Sequence, residues 1–409
     1  MAESLTMFIC FYQCPLRGQE LVRTSALQPQ ILSFKNPEVT FRLGPFQEVL
    51  SANLGLEYTD NVNLTDTNKI SDFSITEGLG LNTTWVISHL NQLQFNLTGD
   101  VTQNFYGNGR NDVTLTIDPG SLVQFQFAVS DFLFKVYNQF SLVQNPTSTG
   151  YAANTANLNS LTDTVGASVE HDLNIAVLSL SADYTYTNQT GTTASGQTNT
   201  GTTGTSNTFR VGSSLAFNYS PSVTYGIEDN LTKSSSPHEA NVESFSIGPF
   251  IKGSFGPDLD LDLSAGANLV ETTPSVPTDY YVSAALRYQV NRFWQVIFSA
   301  AHDLTFNTGT NLTDDNYFRL KTQLGITRFI TIEAGGFYDY GDVLSTTPTI
   351  GIAALNTGPY KQLGSDVGVT WQLRKHISST LGYTYIRREA KAPYSYIQNA
   401  VTLSIGYQF

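Results

Sequence analysis

The sequence predicts an all-β fold, a transmembrane antiparallel up-and-down β-barrel of about eighteen strands, with sixteen as the alternative even number. Charged residues make up 13% of the 409 residues, whereas a typical soluble protein has roughly 25%. No apolar run approaches the ~18 residues that a membrane helix needs. From about Leu50 onwards, apolar and small polar residues alternate with a period of two. This combination favours a barrel, in which only every second strand residue must be apolar.

The first 45 residues lack this alternation, and we assign them to an N-terminal extension that precedes a barrel at residues 46–409. A secretory signal needs a basic start and an apolar core of about 7–15 residues. The segment Leu5–Tyr12 is short and mixed, and no lysine or arginine stands before it. We therefore expect this region to be disordered, or to be a leader whose start is wrongly assigned. Its cysteines, Cys10 and Cys14, have no nearby histidine and make a poor metal site.

The alternating runs are joined by connections of two lengths. A polar segment, Thr59–Asp72, follows the first run, and the turn Ser88–Asn91 joins the next two. Further tight turns are predicted near Val129–Asp131, His171–Asp172, Ser220–Ser222, Gly256–Asp258, Asn291–Arg292, Thr327–Arg328 and Arg374–His376. Long connections are predicted at Gln144–Ser160, Asn188–Asn207, Asn230–Asn241, Glu271–Thr278, Thr305–Asp314, Asp342–Pro359 and Arg388–Tyr396. Because short and long connections alternate, we expect short periplasmic turns at one end and long extracellular loops at the other. Two strands per tight turn, plus the first and last strands, give about eighteen.

Several places depart from regular strands. Pro119 and Pro249 interrupt apparent strands, and because proline cannot donate to a sheet ladder we expect β-bulges there. In the strand around Asn138 the apolar face would include this asparagine, which predicts a bulge or a register shift. The segment Thr187–Thr208 is mostly threonine, glycine, serine and asparagine. We expect it to be mobile, since it buries too little apolar surface to offset its ordering entropy.

The two faces of the predicted strands differ in size and chemistry. One face carries large apolar side chains, with aromatic residues near the strand ends, and is expected to contact lipid. The other face carries small polar and charged side chains. The candidates for lining a pore are Arg210, Arg287, Arg319, Lys321, Asp262, Glu333 and Asp366. We expect Arg319 and Lys321 to form a basic constriction, or else to pair with acids such as Asp339.

The overall charge limits the partners of the chain. A net charge of −13 argues against nucleic acid, which requires a basic surface. With mixed charges on the inner face and acidic residues in the outer loops, a pore is expected to favour cations weakly. No cofactor is expected.

The final strand has the most regular alternation in the chain. Its apolar residues, Val401, Leu403, Ile405, Tyr407 and Phe409, alternate with Thr402, Ser404, Gly406 and Gln408. This ending resembles the C-terminal assembly signal of bacterial outer-membrane barrels. The resemblance implies that the barrel-assembly machinery recognises these residues.

The beginning of the predicted barrel carries a second resemblance. Leu50–Thr65, with Phe41-Arg42-Leu43 upstream, contains Tyr58-Thr59-Asp60-Asn61-Val62, and it resembles the Tyr-X-Asp-Asn-hydrophobic opening of a poorly characterised family of Gram-negative outer-membrane β-barrel porins. The resemblance implies an outer-membrane barrel of a Gram-negative bacterium. Because eighteen strands enclose an aqueous lumen unless loops fill it, and small polar residues dominate the inward face, we expect a passive channel for small hydrophilic solutes. Its partners would be outer-membrane lipid and lipopolysaccharide. Some family members are encoded with exopolysaccharide export systems, so export of polysaccharide, or a mainly structural role, is the alternative.

Two further classes of function stay open at this point. An outer-membrane hydrolase would need a placed nucleophile, and only His302, followed by Asp303, lies near an outer strand end as part of a histidine–acid pair. A metal site is the other possibility. Asp60-Asn61 with Asp66, and Asp314-Asp315-Asn316, offer oxygen ligands that could hold Ca²⁺ or bridge lipopolysaccharide.

Overall fold

The computed structural model describes residues 40–88, 90–109, 111–144, 155–193, 204–235, 241–271, 279–306, 311–345, 358–390 and 395–409. These residues form one closed antiparallel barrel. Its strands are β1 (Phe41–Leu43), β2 (Phe46–Thr59), β3 (Asp72–Val86), β4 (Asn91–Tyr106), β5 (Asn111–Ile117), β6 (Leu122–Val129), β7 (Phe132–Gln144), β8 (Thr155–Asp172), β9 (Ala176–Thr193), β10 (Gly204–Ser220), β11 (Val223–Ser235), β12 (Val242–Ser254), β13 (Leu259–Glu271), β14 (Asp279–Asn291), β15 (Trp294–Phe306), β16 (Asn311–Gly325), β17 (Ile330–Ser345), β18 (Gly358–Arg374), β19 (Ile377–Glu389) and β20 (Tyr396–Gln408).

The barrel wall consists of eighteen strands, as predicted. β5 and β6 are two halves of one wall strand, since both pair with β4, and β1 is a short strand that pairs only with the start of β2. The last strand, β20, pairs with β2 from Ser51↔Gln408 to Thr59↔Ala400 and closes the barrel. The predicted division between an extension and a barrel at residue 46 stays a prediction, because residues 1–39 lie outside the described part of the chain.

The connections at one end are two to four residues long and those at the other four to twelve, which confirms the predicted sorting by length except at 107–110 and 307–310, which are four residues long. One end of the barrel, which we call the tight-turn end, holds the connections 87–90, 130–131, 173–175, 221–222, 255–258, 292–293, 326–329 and 375–376. The opposite end holds the connections 60–71, 107–110, 145–154, 194–203, 236–241, 272–278, 307–310, 346–357 and 390–395.

Several strands extend further toward the opposite end than predicted. β8 begins at Thr155 and β9 continues to Thr193, so the predicted connections Gln144–Ser160 and Asn188–Asn207 were too long. Residues 187–193 and 204–208 of the segment predicted to be mobile are paired strand, with Gly204 opposite Gln189, and residues 194–203 lie outside the described part of the chain. Backbone hydrogen bonds between strands do not require apolar side chains, so polar runs can continue a ladder that began in an apolar one.

The predicted irregularities have mixed outcomes. The break at Pro119 is confirmed: it falls between β5 and β6, and the register with β4 differs by two residues on either side. The prediction of a bulge at Pro249 was wrong, because β12 keeps one register with each of its two neighbouring strands. The prediction of a bulge or register shift at Asn138 was also wrong, since β7 is regular. The Asn138 side-chain Nδ2 donates to Asp163 Oδ1 at 2.6 Å, so a polar partner on the neighbouring strand satisfies the asparagine.

The two faces of the wall alternate as the pattern predicted. Along β16, Phe318 and Leu320 are 41% and 54% exposed, while Tyr317 and Arg319 are 6% and 9% exposed. We call the face that carries Phe318 and Leu320 the outer face. The face that carries Tyr317 and Arg319 lines the lumen, and we call it the inner face. The large aromatic residues at strand ends, such as Tyr219 at 79% exposure, lie on the outer face.

In the described residues, no helix is long and apolar enough to cross a membrane.

Candidate functional site: the inner wall of the barrel

The connection 60–71 lies against the inner face at the opposite end. Asn61 is fully buried, and its Nδ2 donates to the carbonyl oxygens of Thr65 and Ile397, both at 2.8 Å. In return, Nε2 of Gln398, on the inner face of β20, donates to the Asn61 carbonyl oxygen at 3.2 Å. Leu64 is 2% exposed. These bonds fasten the connection to the strand that closes the barrel.

Internal bonds also brace this connection. Asn63, which is 0% exposed, donates from Nδ2 to the Asn68 carbonyl oxygen at 3.0 Å and accepts from the Ile70 backbone N–H at 2.9 Å. Leu64 and Asn68 both have positive φ, 50° and 57°. A left-handed conformation at a leucine is uncommon and persists where surrounding contacts determine it. The connection is therefore a folded element of the inner wall.

A buried polar group, which we call the rim cluster, lies on the inner face of β16–β19 toward the same end. It comprises Asp315, Asp339, Tyr360, Gln362 and Arg388. The hydroxyl of Tyr360 donates to Asp315 Oδ1 at 2.6 Å and is 3.3 Å from Asp339 Oδ1. Cζ of Arg388 lies 4.2 Å from the centre of the Tyr360 ring.

The rim cluster excludes solvent from its cation. Arg388 is 2% exposed, and its Nη1 donates to Gln362 Oε1 at 3.3 Å. A guanidinium over an aromatic face gains most when water is absent. The cluster therefore places one cation and two carboxylates where their charges are weakly screened.

Further from that end, two ion pairs cross the inner face. Arg319 lies 3.6 Å from Asp366, and Lys321 lies 2.8 Å from Glu333. Their cationic side chains are 10% and 17% exposed. Both bases therefore have carboxylate partners on the inner face, Asp366 for Arg319 and Glu333 for Lys321.

The remaining pore-lining candidates lie on other walls. Arg287 faces Asp260 across β13 and β14 at 3.9 Å, with both side chains more than half exposed. Asp262 lies one inner position along β13 from Asp260, and Arg210 on β10 lies opposite Asp183 on β9. Register thus places all the candidates on the inner face but gathers only Arg319, Lys321, Glu333 and Asp366 into one patch.

The sequence pattern does not predict the rim cluster. Arg388 and Tyr360 lie at the edges of two predicted long connections, Arg388–Tyr396 and Asp342–Pro359. The apolar–polar alternation breaks at both places, because Ile386 and Tyr360 face inward whereas Arg387 and Lys361 face outward.

Strand alternation also corrects the metal and enzyme alternatives. In the triplet Asp314-Asp315-Asn316, Asp315 points inward, whereas its two neighbours point outward, so the three cannot share an ion. The Asp60 carboxylate accepts hydrogen bonds from the Asn399 backbone N–H at 2.8 Å and from its side-chain Nδ2 at 2.6 Å, and so links the connection 60–71 to β20. His302 and Asp303 are successive strand residues on opposite faces, so they do not form a catalytic pair.

The closing strand ends on the outer face. Phe409 is 52% exposed, its backbone N–H donates to the Leu50 carbonyl oxygen at 3.1 Å, and its ring packs edge-on against Tyr407 with centroids 4.7 Å apart. The role of this strand as an assembly signal stays a prediction.

No protein family and no curated protein matches the sequence. Several solved structures are similar. Pseudomonas aeruginosa OccK7 (OpdD) has a TM-score of 0.48 and 9% identity, covering 90% of this chain and 99% of its own. Pseudomonas aeruginosa OccK2 (OpdF) has a TM-score of 0.48 and 10% identity, covering 90% and 98%. The FrpB iron transporter of Neisseria meningitidis has a TM-score of 0.45 and 10% identity, covering 84% and 62%. Likeness at this level assigns no function to the chain.

Proposed function

We propose that this chain is a porin-like outer-membrane channel of a Gram-negative bacterium, through which small hydrophilic solutes diffuse. The observation that carries the proposal is the contrast between the two faces of a closed eighteen-stranded wall. Lipid cannot satisfy unpaired backbone groups, and only a closed barrel leaves no open sheet edge. An apolar exterior around a charged, hydroxyl-rich interior suits lipid outside and water inside.

The length of the connections supports an orientation. Outer-membrane barrels have short periplasmic turns and longer extracellular connections, so the tight-turn end would face the periplasm. The connection 60–71 and the rim cluster would then lie at the extracellular mouth. An eighteen-stranded barrel is wide enough for an aqueous lumen unless inward connections fill it, so the narrowest point would lie where the connection 60–71 meets the inner wall.

The inner charges support a weak preference for cations. By register in the described wall strands, the inner bases are Lys135, Arg210, Lys252, Arg287, Arg319, Lys321 and Arg388, whereas the inner acids are Glu57, Asp72, Asp100, Asp112, Glu170, Asp172, Asp183, Glu228, Asp260, Asp262, Asp303, Asp315, Glu333, Asp339 and Asp366. Acids outnumber bases, and rings of carboxylates favour cations in pores. Since Arg319 and Lys321 contact carboxylates, they would moderate this preference.

Planar-bilayer recording tests the proposal. We expect the purified protein to form conducting pores whose reversal potential in a salt gradient shows a mild cation preference. The preference should shrink as salt rises, because the Debye length falls from about 30 Å at 0.01 M to about 3 Å at 1 M. The double variant Arg319→Ala, Lys321→Ala should strengthen the preference, since it leaves Asp366 and Glu333 without these cations. Anion selectivity at low salt would contradict the charge argument.

A second candidate function is supported by the burial of the connection 60–71. Asn61, Asn63 and Leu64 are at most 2% exposed, so this part of the lumen is filled. A barrel closed in isolation, with a structural role or linked to exopolysaccharide export as the family resemblance implies, would have this property. Absence of conductance in wild type, with conductance in a variant that lacks the inward connection, would favour this second candidate.

A further inference from the structure

Three side chains with metal-ligating atoms meet around His302, which lies on the outer face. Asp279, His302 and Asp314 come from β14, β15 and β16, and one potential ligand atom from each lies within 4.8 Å of the others. Nε2 of His302 is 3.5 Å from Asp279 Oδ1, and its Nδ1 is 3.6 Å from Asp314 Oδ1. The His302 and Asp279 side chains are only 12% and 21% exposed.

The three residues lie at the opposite end of the barrel. His302 lies directly across from Val282 on one neighbouring strand and from Asn316 on the other. Asn316 adds a fourth polar atom, its Oδ1, at 3.2 Å from His302 Nδ1. Asp279 is the first residue of β14, where it pairs with the inner-face residue Asn268, and its carboxylate reaches the imidazole from the end of the strand.

Neighbouring groups fix the orientation of the ligands. The Tyr280 ring lies against the imidazole, with ring centroids 4.2 Å apart. Oδ1 of Asp279 accepts the Tyr280 backbone N–H at 2.8 Å. Bonds of this kind orient metal ligands in known sites and raise their affinity. The imidazole and one carboxylate are thus preorganised.

Oxygen atoms lie at both nitrogens of the histidine ring. Nδ1 faces Asp314 and Asn316, and Nε2 faces Asp279. The Asp314 side chain is 41% exposed as a whole, but its Oδ1 is shielded from solvent and accepts no hydrogen bond. A shielded carboxylate oxygen without a donor is a favourable ligand for a cation.

We propose that His302 Nδ1, Asp314 and Asn316 Oδ1 bind one divalent transition-metal ion, with Zn²⁺ as the best match, and that Asp279 orients the ring from the Nε2 side. Bond lengths near 2.0–2.2 Å place tetrahedral zinc ligands roughly 3.3–3.5 Å apart, close to the 3.6 Å and 3.2 Å that separate Nδ1 from Asp314 Oδ1 and Asn316 Oδ1. A carboxylate on the other ring nitrogen is a common support of a histidine that binds zinc. An imidazole nitrogen favours zinc, copper or nickel over calcium, which takes oxygen ligands. The ion would link β15 to β16 at the rim of the wall, with Asp279 supporting it from β14.

Calorimetry with ZnCl₂ on the full chain tests the proposal. The protein, free of any histidine tag, is purified in detergent, treated with a chelator and titrated with ZnCl₂ and, separately, CaCl₂. We expect Zn²⁺ binding that His302→Gln and Asp279→Asn each weaken at least about tenfold. Cobalt(II) should give a visible absorption spectrum that changes in the same variants, and Ca²⁺ should bind much more weakly than Zn²⁺.

His171 provides the matched control. It lies on the outer face at the tight-turn end, stacked on Phe132 with centroids 4.1 Å apart, so His171→Gln should leave the Zn²⁺ affinity unchanged. Heat-modifiable migration in gels verifies that each variant has folded. Absent Zn²⁺ binding, or binding that His302→Gln leaves intact, would overturn the proposal. Because the readout is metal affinity, the result does not depend on whether the barrel conducts.

Discussion

Two arginines on the inner face occupy contrasting surroundings. Arg388 on β19 is 2% exposed, lies over the Tyr360 ring and donates to Gln362. Arg287 on β14 faces the lumen with 58% of its side chain exposed, and its nearest carboxylate, on Asp260, is 3.9 Å away. The two walls are built from strands of the same length with the same alternation. Depth of burial, and not residue type or face, therefore separates a structural arginine from a solvated one.

This difference sets the size of each contribution to stability. An exposed ion pair contributes about 0–1 kcal/mol, because water and salt screen it. A cation–π contact reaches about 2 kcal/mol when the groups are desolvated, and a buried hydrogen bond adds roughly 1 kcal/mol. The rim cluster should therefore behave as part of the folded wall, whereas Arg287 and Asp260 should act mainly on the electric field in the lumen.

The largest effect, on conductance, is expected from replacing the connection 60–71, which covers the inner wall beside the rim cluster. Replacing residues 61–69 with glycine and serine at constant length keeps the chain connected but removes the Asn61 and Asn63 bonds. We expect single-channel conductance to rise several-fold, because the segment would no longer be held against β20. Conductance is measured in planar bilayers at 1 M salt, where electrostatic effects are small.

A substitution in a neighbouring connection is the control for this experiment. Asn108, at the same end of the barrel, is exposed in the connection 107–110, so Asn108→Ala should leave conductance unchanged. An unchanged conductance in the 61–69 replacement would show that the connection does not limit the pore, and the contrast between the two walls would then have no functional meaning.

The next largest effect is expected in the free energy of unfolding when Arg388 and Arg287 are each replaced by alanine. Arg388→Ala should lower the free energy of unfolding by about 2–4 kcal/mol, since it removes a desolvated cation–π contact and a buried hydrogen bond. Arg287→Ala should change it by less than about 1 kcal/mol. Urea unfolding in lipid vesicles, followed by tryptophan fluorescence, measures both. Similar losses in the two variants would contradict the assignment of Arg388 to the folded wall.

The sequence could predict which face a residue occupies but not how deeply it is buried. Alternation is a local property, so the faces of Arg319, Lys321 and Asp262 follow from counting along each strand. The burial of Asn61 depends on a hydrogen bond to Ile397, across 336 residues of sequence. No local pattern encodes that contact, because the connection and β20 meet only when the barrel closes.

The same limit explains the outer-face metal ligands. Asp314 attracted attention as part of a run of polar residues, yet its partners come from two other strands, at Asp279 and His302. Pairing register between β14, β15 and β16 decides which side chains meet. A shift of one residue in either ladder would move His302 to the other face. The composition of the polar run could therefore predict oxygen ligands. Only the pairing register shows that His302 lies beside them.

The smallest effect is expected from removing one tyrosine hydroxyl, either in the rim cluster or on the outer face. Tyr360→Phe keeps the ring beneath Arg388 but removes the donor to Asp315, and hydrogen bonds to charged groups contribute about 1.5–3 kcal/mol when buried. Tyr383 offers the matched change, because its hydroxyl donates to Asn399 Oδ1 at 2.8 Å on the exposed outer face. Tyr383→Phe should cost less than about 0.5 kcal/mol, as water or lipid headgroups can replace the partner. Urea midpoints at equal lipid ratios compare the two variants. If Tyr360→Phe proved as mild as Tyr383→Phe, the Asp315 carboxylate would have to be solvated, and the rim cluster would belong to the open part of the lumen together with Arg287.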